Sequence, residues 1–219
     1  MKEHKIGILA YGSLIDDAGV ELQPLIVDRI LCETPFKVEF ARVSSTRGYA
    51  PTLIPVSEGG RNIKAQVLVL NEVVTTEQAM SMLWRRERHI SDVARNYIRH
   101  NNPRVNTVLV EKLQFFENVE SVLYTSIGKN IEQPITPQLL ADYAIASIIT
   151  SAGADGKDGI RYLLAAKKNG IITEVSEEYE QQILVKTNTK SLKDAIQLLD
   201  LQREKSGNGT IGFDQISRL

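Results

Sequence analysis

An α+β fold is what this sequence predicts, on three observations. Strand-like segments crowd the chain up to residue 127, and amphipathic helical segments fill it from 136 onward. The two kinds do not alternate as a doubly wound parallel sheet requires. With 219 residues, 42% of them hydrophobic, the chain can bury a substantial core. The expected division is a β-rich core over residues 1–130 that carries one helix, and a helical region over 131–219 packed on it.

Residues 5–11 form an apolar run that ends in Tyr11-Gly12-Ser13-Leu14. Residues 36–43, Phe-Lys-Val-Glu-Phe-Ala-Arg-Val, alternate apolar and polar as a half-buried strand does. Ser44 to Thr52 is polar without strong charge and reads as a loop at that strand's end. Further strands are expected at 63–70, 105–116 and 121–126. Thr75 with Gln78 makes a capping box, so a helix runs from Thr76 to about His89. Thr136-Pro137 opens the next helix, whose apolar face of Leu139, Leu140, Tyr143, Ala144 and Ile148 persists until Gly153. Gly153 to Gly159 reads as a helix-to-helix turn, and helices follow at 158–169, 176–186 and 190–204. The tail from Ser206 is expected to be a turn or a loose end.

Bulk charge excludes several function classes. Twenty-six basic and 27 acidic residues leave a net charge of -1, which favours neither nucleic acid nor an anionic membrane. Arg85, Arg86 and Arg88 lack interleaved aromatics and read as a solvated helix flank with one inward arginine. The charged start Met1-Lys2-Glu3-His4-Lys5 is no signal peptide, and no run reaches the roughly 18 apolar residues of a membrane span, so a cytoplasmic protein is expected. Cys32 is the single cysteine and reads as core. His4, His89 and His100 have no metal-ligand spacing, so no metal is expected. Ser13 lacks the Gly-x-Ser-x-Gly setting of a nucleophile.

Two features propose a site. A glycine and a serine at a strand's end leave backbone N–H groups uncovered, which suits a carboxylate or phosphate oxygen. In the helix after Thr75, Thr76, Met80, Leu83, Glu87 and Ile90 share one face, so Glu87 falls on the apolar stripe, with Arg85, Arg88 and His89 toward water. An inward carboxyl group suits proton transfer, although an ion pair with Arg42 or Arg47 is the structural alternative. An acid/base group beside an anion pocket describes chemistry on an amino-acid-like substrate.

Tyr11-Gly12-Ser13-Leu14, Phe40 to Ser45, Pro51-Thr52-Leu53, Arg86-Glu87 and Val122-Leu123-Tyr124 together resemble the gamma-glutamylcyclotransferase-like family. The likeness spans about residues 6–185, with a similar helical tail in Tyr143–Ile148, Gly153, Gly159-Ile160, Tyr162-Leu163 and Tyr179. It implies a small mixed β-barrel flanked by helices, with a helical C-terminal extension. It also implies an enzyme that releases an amine from a small γ-glutamyl compound as the glutamyl part closes to 5-oxoproline, with no cofactor. Glu87 would be the general acid/base. Gly12, Ser13 and Leu14 would hold the substrate's α-carboxylate, and Tyr11, Arg42, Ser44 and Tyr124 would complete the substrate site. A non-catalytic member binding an amino-acid-like ligand in the same pocket is the alternative. The segment beyond about 187 is additional to compact members and would cover the cavity, join two subunits of a homodimer or pack on the core.

Overall fold

The computed structural model of the chain describes residues 4–206; the turn expected in the tail beyond Ser206 lies outside them. β1 (His4–Ala10) is the centre of a five-stranded mixed sheet and is buried from Ile6 onward. It pairs antiparallel with β5 (Lys64–Leu70) and parallel with β7 (Val119–Ser126). β2 (Ile26–Glu33) and β6 (Leu109–Phe116) form the edges, giving the order β2-β5-β1-β7-β6. Period-two alternation divides β1 between two cores. Ile6, Ile8 and Ala10 face the helices, and Leu9 packs with Val67, Val69 and Val122 on the other side.

β3 (Val38–Ser44) and β4 (Ala50–Pro55) make a separate antiparallel pair. The segment after β3 is therefore shorter as a loop than expected: a 3₁₀ turn, Ser45–Arg47, then Gly48 and Tyr49 at φ +62° and +61°, reverse the chain straight into β4. β4 was hidden by Pro51 and Pro55, which read as breakers but fit a strand with a free edge. β2 was missed because it is an edge with Asp28, Arg29 and Glu33 exposed, and Cys32 on it is half-buried rather than core. β6 starts four residues later than expected; residues 88–108 run as an irregular segment over one side of the molecule. Among the described residues the strands form two sheets without a ring of pairings that would close a barrel.

The capping box at Thr75 and Gln78 forms as expected and opens α1 (Thr76–Glu87). α1 ends two residues early because His89 takes φ +51°. The helix expected from 136 divides into α2 (Pro137–Ile148) and α3 (Ser151–Ala154), with Thr150 capping the second. α4 (Gly159–Lys168) begins at the fully buried Asp158, whose carboxylate accepts from the Ile160 and Arg161 amides. Gly170, at φ +70°, follows its end. α5 (Ser176–Thr187) and α6 (Leu192–Ser206) complete the chain.

Sheet and helices share one core. Phe40 of β3 meets Tyr179 of α5 and Tyr162 of α4 edge-on at 5.3 and 6.2 Å. Each such ring, fully buried, contributes about 1.5–3 kcal/mol. α6 is tied down by charge. Arg161 joins Asp158 at 2.6 Å and also Asp200 of α6, while Arg203 of α6 reaches Asp200 at 2.6 Å and the Ile148 carbonyl at 3.1 Å. No helix among the described residues is long and apolar enough to cross a membrane.

Glu39 of β3 is 5% exposed, and its Oε2 has no hydrogen-bond partner. Burial holds its carboxyl above the usual carboxylate range, against opposing hydrogen bonds from Thr173 and nearby amides. A folded state that holds the proton more tightly than the unfolded chain loses stability as pH rises from the ordinary glutamate range to the raised value. Glu39→Gln should remove that loss. In urea unfolding across pH, the variant gains on the wild type as pH rises through that window and shows no such gain below it.

Candidate active site

The 3₁₀ turn Gly12–Leu14 continues directly from β1, with Gly12 at φ +66° where a side chain would be strained. The leading amides of such a turn have no acceptor within it, and no side chain caps this one. The third amide, on Leu14, bonds back within a 3₁₀ turn, so the amides with no acceptor inside the turn are those of Gly12 and Ser13. Leu14 turns its side chain into the core.

Glu87, the last residue of α1, is half-buried with its side chain 26% exposed, short of the inward position expected. The buried face of α1 carries Ala79, Met82, Leu83 and, contrary to expectation, Arg85. Arg85 is 5% exposed and pairs with Glu21 at 2.6 Å, an ion pair that also raises its pKa. Neither Arg42 nor Arg47 pairs with Glu87. Its partner is the adjacent Arg86, whose Nη1 donates to Oε1 at 2.6 Å. The same guanidinium donates through Nη2 to Ser13 Oγ at 3.4 Å and to the Asp17 carbonyl at 2.6 Å. One guanidinium thus separates the Glu87 carboxylate from the turn.

Both elements open on a cleft of about 1280 Å³, which brings together Gly12, Ser13, Arg42, Ser44 and Glu87. Its lining holds seven cations, Arg42, Arg47, Arg85, Arg86, Arg88, Lys157 and Arg161, against four carboxylates, so it favours an anionic occupant. Arg42 spends its guanidinium on the Gly128 carbonyl and Asn106 Oδ1, each at 2.7 Å, which fixes the irregular segment beside the cleft. Ser44 Oγ bonds Thr46 Oγ1 at 3.0 Å.

Tyr11 and Tyr124 do not line the cleft and lie behind it. Phe36 meets Tyr124 at 4.6 Å and Tyr11 edge-on at 5.8 Å, and the Tyr11 hydroxyl donates to the Thr125 carbonyl at 2.9 Å. Burial, then the negative charge of Glu87, holds the Tyr11 hydroxyl well above the usual phenol range. Burial likewise raises Tyr124.

Tyr162 and Arg47 line the cleft, although from the sequence neither falls in the substrate site and Arg47 reads only as an alternative partner of Glu87. Arg47 lies over the Tyr162 ring at 4.6 Å from its centre, a cation–π contact. Burial raises the Tyr162 hydroxyl, Arg47 opposes this, and Glu87 adds to it. A Cβ built on Gly12 would stand 2.7 Å from the Tyr162 hydroxyl oxygen. Gly12→Ala should therefore displace that ring and strain the turn, costing about 1–3 kcal/mol in urea unfolding and most of the activity toward any accepted substrate. Full activity in the variant would show that the close approach has no role.

Comparison with protein-family models gives no match, and no curated protein matches this chain. Fold and site define a mixed α+β protein whose first strand ends in a cationic cleft faced by one helical glutamate.

Proposed function

We propose that the protein is a gamma-glutamylcyclotransferase-like enzyme that cyclises the glutamyl part of a small γ-glutamyl amine or peptide to 5-oxoproline. One observation carries the reading: the Glu87 carboxylate and the uncapped Gly12–Ser13 turn share a single guanidinium between them in one cleft. The Gly12 and Ser13 amides hold the α-carboxylate. Glu87 takes a proton from the α-ammonium, and the freed nitrogen attacks the γ-carbonyl carbon. A new C–N bond closes the ring, Glu87 returns its proton to the departing nitrogen as the original C–N bond breaks, and the surplus proton of the ring nitrogen passes by way of Glu87 to the released amine, which leaves as an ammonium. Electrons and atoms balance without an oxidant or a cofactor. Because the attack is intramolecular, clamping the carboxylate supplies most of the alignment.

The reading brings with it the family's small barrel and a cytoplasmic setting. Support for the barrel comes from the bonds that continue the β2–β5 ladder toward β3, Thr34 N–H to the Ile63 carbonyl and Val38 N–H to the Arg61 carbonyl, both 2.9 Å. The test is a screen of γ-glutamyl compounds, glutathione included, scored by 5-oxoproline release. Release from at least one compound is expected; none from any would overturn the assignment.

The Arg86–Glu87 ion pair favours a second reading, a non-catalytic member that binds an amino-acid-like ligand, because the pair occupies the base. Such a protein binds ligand in the cleft and releases no 5-oxoproline.

A further inference from the structure

Arg86 is the residue of the cleft whose surroundings its sequence position explains least. Its side chain is 16% exposed, yet it sits at the end of a surface helix beside the acid it neutralises. Its stem lies on Gly19, at φ +82°, where a Cβ would stand 2.8 Å from Arg86 Cγ. A backbone position without a side chain therefore seats this arginine. Its head spans three partners, Glu87, Ser13 Oγ and the Asp17 carbonyl, which among the described residues use three of its five N–H groups. Two remain for another oxygen.

We propose that Arg86 receives the substrate's α-carboxylate and, in exchanging Glu87 Oε1 for it, sets the α-amine beside Glu87. This rests on the cyclotransferase reading and names the group that enforces its requirement for an α-amino acid. Guanidinium and carboxylate form strong charge-assisted pairs, and here the guanidinium already reaches the Ser13 hydroxyl of the turn whose amides would share the carboxylate. The α-amine and α-carboxylate of a γ-glutamyl group hang on one carbon. A residue that grips the carboxylate therefore sets the amine beside the Glu87 oxygen it has just released. Without substrate Arg86 holds Oε1 of Glu87. A compound lacking the α-carboxylate offers Arg86 nothing to hold, so its amine is not set beside Glu87.

The test uses the full chain with Arg86→Gln and the charge-keeping Arg86→Lys, each checked for an unchanged circular dichroism spectrum. Calorimetry measures binding of L-5-oxoproline and of 2-pyrrolidinone, the same ring without its carboxylate. L-5-oxoproline binding should weaken about 100-fold in Arg86→Gln and less in Arg86→Lys, with 2-pyrrolidinone unaffected. With a γ-glutamyl compound that the wild type turns over, Arg86→Gln should raise KM more than it lowers kcat. Its counterpart lacking the α-carboxylate, a 4-aminobutanoyl amide of the same amine, should cyclise no more slowly than with the wild type. Equal L-5-oxoproline affinity in wild type and Arg86→Gln, with turnover intact, would overturn the role of Arg86 and leave the enzyme assignment standing. Arg86-dependent binding without 5-oxoproline release from any γ-glutamyl compound would instead overturn the enzyme assignment.

Discussion

Changing Glu87 to Gln lowers 5-oxoproline release about 100- to 10,000-fold if this carboxylate carries the proton, the range that a positioned acid/base group contributes. Binding in the cleft persists, because the amides of the Gly12 turn and the Arg86 guanidinium remain, Arg86 losing only its charged Glu87 partner. The loss therefore appears in kcat. Stability changes little: the Arg86–Glu87 pair lies at a partly exposed helix end, where such pairs contribute about 1 kcal/mol or less. The amide keeps the shape of the acid but neither accepts the ammonium proton nor returns one to the leaving nitrogen. Turnover unchanged in the variant would remove Glu87 from the chemistry. A wild type that binds the ligand without turnover would favour the non-catalytic reading.

Gly153→Ala should be the most destabilising single change in the helical region. A Cβ there would overlap the Ile148 carbonyl oxygen outright and stand 2.6 Å from its carbon and 2.8 Å from Arg203 Nη1. These atoms are backbone and an engaged guanidinium, so neither yields cheaply. Arg203 donates to that same carbonyl at 3.1 Å, and the contact ties α6 to the end of α2. Accommodating one methyl group means moving α3 and releasing that tie, at about 3 kcal/mol or more from overpacking and a lost charge-assisted bond. Urea unfolding should show a lower midpoint with an unchanged slope. A shift below about 1 kcal/mol would mean that the α2–α3 turn can move freely, against the packing described here.

Signals within a few residues of each other were legible in the sequence. The Thr75–Gln78 capping box, the Thr136-Pro137 start of α2 and the apolar run of β1 ending at Gly12 are local, and each forms at the expected place. What escaped depends on partners distant in the chain. β2 is a charged edge that becomes a strand only by pairing with β5, 37 residues on at the Ile30–Val67 level in antiparallel register, and its own alternation is half solvent. The buried face of α1 is rotated from the stripe predicted through Glu87 because Glu21, 64 residues away, gives Arg85 a partner inside. Glu87 lines the cleft from the half-buried end of α1 rather than from a fully apolar face. The Tyr162 hydroxyl reaches the Gly12 turn across 150 residues, a distance no local pattern reports.

A crystal structure of the Glu87→Gln variant soaked with a γ-glutamyl compound tests the central claim most directly. The carboxylate of the glutamyl part should lie on the Gly12 and Ser13 amides, with its α-nitrogen within hydrogen-bond reach of the residue-87 side chain. A ligand seated elsewhere, or one whose α-nitrogen points away from residue 87, would contradict the account.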